Sequence, residues 1–508
     1  MKCAFVDIKQ AFNTVLRSGL WNKLTANGIK GKCFTYIRNM YKGIKSMIKI
    51  NDMSTNFFTC NVGVRQGENL SPFLFALYIN DLENFLQEKG IVGLQSVTES
   101  IEVELMMYLK LLILLFADDT VLMADSVDDL QCALNEFSIY CTKWKLNVNV
   151  EKTKILIFSK GPLAKRHFYY NESIIENVKE FKYLGIVFSR SGSFCKAKKH
   201  LCEQAQKAMY GVIRKIRQFN LPISCQFDLF DKVVLPVLIY GCEVWGYENL
   251  QVVERIHLKF LKHILQLKSS TPSFMVYGET GRFPIYVNVY SRMISYWAKL
   301  STGCDNKIVN VLYKFLYTQY NNDTVKNPWF ECIHRVLNIC GFSNIWHQQK
   351  HVNEKWIKNS VAQRLKDQFI QTWSNDMFNS SKGKIYRTFK LDFGCEKYLE
   401  KLPKKFRTIL LKFRTTNHRL PVETGRWINM PYNDRSCVLC NTSKIADEFH
   451  YILECSALTI IRKEYLHCRY YIRPNVIKFY EIMSSSNVKT LKKLCMFILK
   501  IYEFVCPP

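Results

Sequence analysis

The sequence predicts an α+β fold at its N-terminal end, followed by a long helical region and a small cysteine-rich module. Three observations carry that prediction. Short apolar, strand-like runs alternate with segments of helical period up to about residue 190. From Ser193 onward the pattern changes to long basic amphipathic helices. Far downstream, three cysteines and a histidine stand at metal-ligand spacing. At 508 residues the chain exceeds what one hydrophobic core usually holds, and its 48% apolar-plus-aromatic content is ample for two to four structural units.

The formal charge is +28, from 71 Lys and Arg against 43 Asp and Glu. Such an excess suits a polyanionic partner, nucleic acid first, because each neutralised phosphate releases counterions. A basic solvated surface would look the same, so motifs must decide. Nineteen cysteines without a signal peptide read as reduced thiols, placing the chain in nucleus and cytoplasm. The most apolar run, Leu105 to Phe116, is broken by Lys110 and too short to span a bilayer, so no membrane role is expected.

Met1 to Ile8 reads as a buried strand ending near Asp7, and a helical alternation follows through Leu20 and Leu24. Ser71-Pro72, then Leu74, Tyr78, Leu82 and Phe85, then Gly90, predict one helix with an N-cap serine, a first-turn proline and a terminal glycine. Leu111 to Phe116 and Val121 to Met123 flank the step Ala117-Asp118-Asp119, which predicts a hairpin with carboxylates at its tip. A helix from Val127 to Trp144 opens at Ser126 with Asp129 placed for a capping box, and the strand Lys154 to Phe158 follows. Beyond Ser193, one helix turns Leu201, Ala205, Ala208, Val212, Ile216 and Phe219 inward and Lys207, Arg214, Lys215 and Arg217 outward. A second runs from Leu250 to Lys268. Cys304 to Tyr432 holds aromatic-rich helical segments, with a polar stretch at Asn375 to Lys384 that reads as a linker.

Asp7 at a strand end and Asp118 with Asp119 at a hairpin tip are costly acids unless a cation balances them. Hard oxygen ligands suit Mg²⁺, and two such ions serve an in-line phosphoryl transfer. Taken alone, a strand-end Asp or an Asp-Asp turn is more often a cap or a solvated loop. The intervening run Gly63-Val64-Arg65-Gln66-Gly67-Glu68-Asn69-Leu70-Ser71-Pro72 changes that balance, since its glycines let a nucleotide approach the backbone.

Phe5-Val6-Asp7 with Ala11-Phe12, then Gly63 to Pro72, then Phe116-Ala117-Asp118-Asp119 resemble motifs A, B and C of reverse transcriptases, in order. The resemblance implies a right-hand polymerase palm with Asp7, Asp118 and Asp119 binding two Mg²⁺ ions. Arg65, Gln66 and Gly67 would support template and incoming nucleotide, and Phe12 would act as the aromatic gate that favours deoxynucleotides. Asn13 stands where relatives often have Asp, a position that holds no metal. Leu146 to Asn149 with Lys152-Thr153-Lys154 resembles motif D, so Lys152 or Lys154 is the candidate proton donor to pyrophosphate; either is otherwise a solvated charge. Phe181-Lys182-Tyr183-Leu184-Gly185 resembles the primer-grip hairpin. The Phe-Ala-Asp-Asp form leans towards non-LTR or intron-type enzymes.

Cys437, Cys440, His450 and Cys455 suit tetrahedral Zn²⁺. On spacing alone, a chance Cys-x-x-Cys among nineteen cysteines explains them as well. The segment from Phe413 through His418-Arg419-Leu420-Pro421 and Gly425-Arg426-Trp427 to Cys455 resembles the C-terminal knuckle region of non-LTR, LINE-type elements of the chicken-repeat and jockey-like group. The implied organisation is a palm over 1–190, a basic thumb-like region over 191–300, a helical connecting region over 301–430, a structural zinc knuckle over 431–460 and a helical tail over 461–508. The expected partners are an RNA template, a DNA primer and deoxynucleoside triphosphates. Because the Asp7 strand begins at the first residues, the fingers are expected to be largely missing and polymerisation by this chain impaired. The alternative is an inactive or domesticated nucleic-acid-binding remnant.

Overall fold

The strand Lys2–Asp7 is apolar at its four inner positions, Cys3 to Val6, because both of its faces are covered there. The computed structural model describes residues 1–99, 106–116, 119–161, 166–303, 306–349, 352–440 and 442–505. They divide into two compact units, one of Met1–Ala197 with Asn306–Lys326, the other of Lys198–Asp305 with Asn327–Pro508.

The first unit is built on a six-stranded sheet. Across it the order is Phe168–Tyr170, Ser173–Val178, Lys154–Ile157, Lys2–Asp7, Asp119–Ala124 and Ile113–Phe116. All neighbours are antiparallel except Lys154–Ile157 with Ser173–Val178, so the expected α+β class holds for this unit. Side chains alternate across the sheet. Ala4, Val6 and Ile8 enter a core with Leu74, Phe75 and Tyr78 of one helix and Leu130, Leu134 and Phe137 of another. Cys3 and Phe5 point to the opposite face with Val121, Met123 and Leu156. There the hairpin Glu180–Tyr183 and Ile186–Ser189 covers them, with Phe181 stacked on Phe5 at 4.4 Å between ring centroids.

The helix Val127–Lys143 starts as predicted: the Ser126 hydroxyl accepts the Asp129 N–H at 2.9 Å and donates to the Asp129 carboxylate at 2.5 Å. The helix expected over Ser71 to Gly90 is instead two, Ser71–Ile79 and Leu82–Glu88. The buried Lys23 ammonium donates to the Tyr78 carbonyl, which a continuous helix would offer to residue 82, and to Asp81 at 2.6 Å. Ser71 is not the cap either; it lies inside the first turn, and its hydroxyl donates to the Arg65 carbonyl.

In the second unit, the helix Cys195–Phe219 buries Leu201, Ala205, Val212 and Ile216 among the residues 198–219, but Phe219 is 59% exposed, not inward. It sits in the last turn, where Lys215 reaches over its ring. The second basic helix covers Gln251–Ile264. The expected linker at Asn375 to Lys384 is not one. The helix Glu354–Asn379 fills its first half, and after three residues Gly383 opens the next helix so close to Met377 that a Cβ would lie 1.8 Å from its carbonyl oxygen. At the centre of this unit Arg414 and Glu279 are wholly buried and paired at 3.1 Å. Among the described residues, no helix is long and apolar enough to cross a membrane.

Candidate active site and metal group

Asp7 is the last residue of its strand and Asp119 the first of the neighbouring one, and the register sets them directly opposite. Both continue the alternation of Phe5 and Val121, so both carboxylates leave the same face of the sheet. Like charges facing across two strands repel, and an arrangement of this kind calls for a cation between them. The Lys152 ammonium is 3.8 Å from the Asp7 carboxylate. The backbone at Asp7 is held from the next loop: its N–H donates to the buried Thr153 hydroxyl at 3.3 Å, and its carbonyl accepts the Asn149 N–H at 2.8 Å. Asp118 lies outside the described residues.

A cleft of about 480 Å³ opens beside Asp7, lined among others by Phe12, Gln66, Asn149 and Lys152. Four residues named from sequence thus meet there: Asp7, Phe12, Gln66 and Lys152. Phe12 is half-buried, its ring 5.2 Å from that of Phe75. Three others are directed elsewhere. Lys154 pairs with Glu176 on the adjacent strand at 2.7 Å. Arg65 pairs with Glu68 at 2.7 Å and donates to the Met40 carbonyl at 2.9 Å. Gly67 is exposed at φ +88°, a conformation that glycine adopts without strain.

Sequence reasoning assigned no role to Thr153 or Tyr183. Tyr183 lies on the covering hairpin, where burial first and then the negative charge of Asp119 raise its hydroxyl above the usual tyrosine range. Its ring is 5.3 Å from that of Phe5. The Phe181 to Gly185 run pointed to the hairpin, but nothing in it says which side chain faces the acids.

In the second unit Cys437, Cys440, His450 and Cys455 are all buried, with their ligand atoms within 4.8 Å of one another. The Cys437 and Cys455 sulfurs are 3.8 Å apart, and the Cys440 sulfur is 3.4 Å from His450 Nε2. A tetrahedral ion with metal–sulfur bonds of about 2.3 Å sets its sulfurs roughly 3.8 Å apart, so the group fits one. The Leu439 N–H donates to the Cys437 sulfur at 3.4 Å, and the Glu454 carboxylate stands 3.6 Å from His450 Nδ1, beyond hydrogen-bond distance.

Residues 2–188 match the family described as reverse transcriptase (RNA-dependent DNA polymerase). The chain is 25% identical over 275 residues to the RNA-directed DNA polymerase from mobile element jockey of Drosophila funebris, covering 52% of this chain and 27% of that protein. A Pol polyprotein from a type-1 retrotransposable element R2 of Bradysia coprophila is 25% identical over 366 residues, 68% of this chain and 39% of its own length. The chain therefore spans well under half of these relatives. A telomerase chain from Candida albicans aligns with 62% of this chain and 51% of its own at 13% identity, but its TM-score of 0.22 carries no argument. Residues 2–188 thus carry a reverse-transcriptase domain, and the chain is similar to the polymerases of LINE-type, non-LTR retrotransposons.

Proposed function

We propose that the chain is an RNA-directed DNA polymerase that extends a DNA primer on an RNA template with deoxynucleoside triphosphates, acting in nucleus and cytoplasm. The observation that carries this reading is the register that sets Asp7 opposite Asp119 on one face, beside a cleft lined by Phe12, Gln66 and Lys152. Two Mg²⁺ ions, held by Asp7, Asp118 and Asp119, would lower the pKa of the primer 3′ hydroxyl and neutralise the leaving pyrophosphate. Lys152 holds a proton beside this site and donates it to the departing pyrophosphate. Phe12 crowds a ribose 2′ hydroxyl. Gln66 contacts the incoming nucleotide or its template base, Gly67 lets the backbone approach, and Arg65 braces the turn through Glu68 and Met40.

The hairpin bearing Phe181 and Tyr183 guides the primer end, and the basic helices of residues 198–264 act as a thumb that lays cations along the duplex backbone. In the knuckle, Cys437, Cys440, His450 and Cys455 hold a structural Zn²⁺. The test is primer extension on an RNA template by wild type, Asp7→Asn and Asp119→Asn. The expected result is Mg²⁺-dependent product from wild type, reduced at least about 10³-fold in either variant. Equal product from all three proteins refutes the assignment of these acids, and no product from wild type refutes the polymerase reading for this chain.

A further inference from the structure

Arg17 opens the helix Arg17–Ala26, and its half-buried guanidinium donates to four backbone carbonyls. Its Nε reaches Gly63 at 2.9 Å, Nη1 reaches Cys60 at 2.8 Å and Tyr41 at 3.1 Å, and Nη2 reaches Val62 at 3.2 Å. No acid is among these partners. A cation that gives three of its four contacts to one loop fixes the direction of that loop's peptide planes.

Two of those planes are held at both ends. The peptide joining Val62 to Gly63 gives its carbonyl to Arg17 and its N–H to the Val15 carbonyl at 2.9 Å. The next gives its carbonyl to Arg17 and its N–H to the Phe12 carbonyl at 2.7 Å. The contact is also tight: Gly63 has φ +83°, and a Cβ there would lie 2.7 Å from the Asn13 carbonyl oxygen. The segment carrying Phe12 and the turn leading to Gln66 are thus joined through Arg17, and both residues line the cleft beside Asp7.

We propose that Arg17 is a positioning residue for nucleotide selection: it fixes the spacing between the Phe12 ring and the Gly63–Gln66 turn, and so the room left for the sugar of the incoming nucleotide. This rests on the polymerase reading above. Lysine keeps the charge but has no planar fork to span four carbonyls, so Arg17→Lys releases the turn without removing the cation.

The experiment uses wild type, Arg17→Lys and Gly63→Ala, which pushes the same turn from its opposite side. Single-nucleotide incorporation is measured with a deoxynucleotide and the matching ribonucleotide, and amide exchange is followed over residues 60–67 with the strand 2–7 as internal reference. In both variants KM for the deoxynucleotide is expected to rise about tenfold and the preference for deoxyribose to fall about fivefold, with kcat changed less than about threefold. Exchange is expected to quicken in 60–67 and stay unchanged in 2–7. Where Arg17→Lys also loses protection in 2–7, Gly63→Ala decides.

Wild-type protection of 60–67 in the variants, or equal losses with both sugars, overturns the proposal. If wild type makes no product that depends on Asp119, the polymerase reading fails instead, and with it the selection role; exchange over 60–67 then reports separately whether the clamp exists.

Discussion

Lys152 and Lys154 are two residues apart and meet different acids, Asp7 at 3.8 Å and Glu176 at 2.7 Å. Only the first lines the cleft beside Asp7, where the proposed reaction needs a proton. Lys152→Ala is therefore expected to lower single-turnover kcat about 10²-fold, and Lys154→Ala less than about threefold. Lys23 offers a second test at this scale. Burial pulls its ammonium down to about 8 against the pull of Asp81 in the other direction, whereas in the unfolded chain it titrates at its ordinary value of 10.5. Between these pH values the unfolded state binds the extra proton, so this residue's contribution to stability rises as pH rises from about 8 towards 10.5. Denaturant midpoints of wild type minus Lys23→Met should show that upward slope; a flat or falling difference would contradict the burial of a charged Lys23.

At the scale of elements, Gly383 makes the sharpest case. Its place against the Met377 carbonyl leaves no room for a methyl group, and Gly383→Ala is expected to destabilise by about 1–3 kcal/mol, read from urea unfolding followed by tryptophan fluorescence. The polar composition of Asn375 to Lys384 concealed this corner, because only one face of the Glu354–Asn379 helix is buried there, through Trp373 and Met377. Elements whose signals are local were legible in the sequence: the Asp7 strand, the hairpin leading to Asp119, and the Ser126-capped helix. The helix break after Ile79 was not, since its cause, Lys23, lies 55 residues from Tyr78 along the chain. The site divides in the same way. Motif order pointed to Asp7 and Asp119, and ligand spacing to the group of Cys437, Cys440, His450 and Cys455, but the different partners of Lys152 and Lys154, the outward turn of Arg65 and the contacts of Arg17 depend on neighbours that no spacing rule names.

For the whole molecule, the charge of +28 sets an expectation about binding. If it serves phosphate contact, the affinity for an RNA–DNA hybrid falls steeply with salt, with a log–log slope of magnitude about 5 or more in fluorescence anisotropy. A slope near zero would leave the charge as mere solvation. The metal group makes a separate prediction for the second unit. Purified protein is expected to hold about one Zn²⁺ per chain by elemental analysis, to lose it in Cys440→Ser, and to unfold at lower temperature when a strong chelator removes it. Unchanged melting after full removal would show that the four side chains hold their places without an ion.

The facing of Asp7 and Asp119 has a further consequence, one of parity. Their shared face depends on each acid falling an even number of residues from Phe5 and Val121 on paired strands. Losing or gaining one residue between Cys3 and Asp7 would leave a strand of almost the same composition, yet swing the acid into the layer packed by Leu74, Phe75 and Phe137. A change of two residues would keep the acid on its own side and only shift it along the strand. Even steps thus keep the acids on one face while losing their direct facing, and odd steps put them on opposite faces, a difference that a short series of deletion and duplication variants would expose.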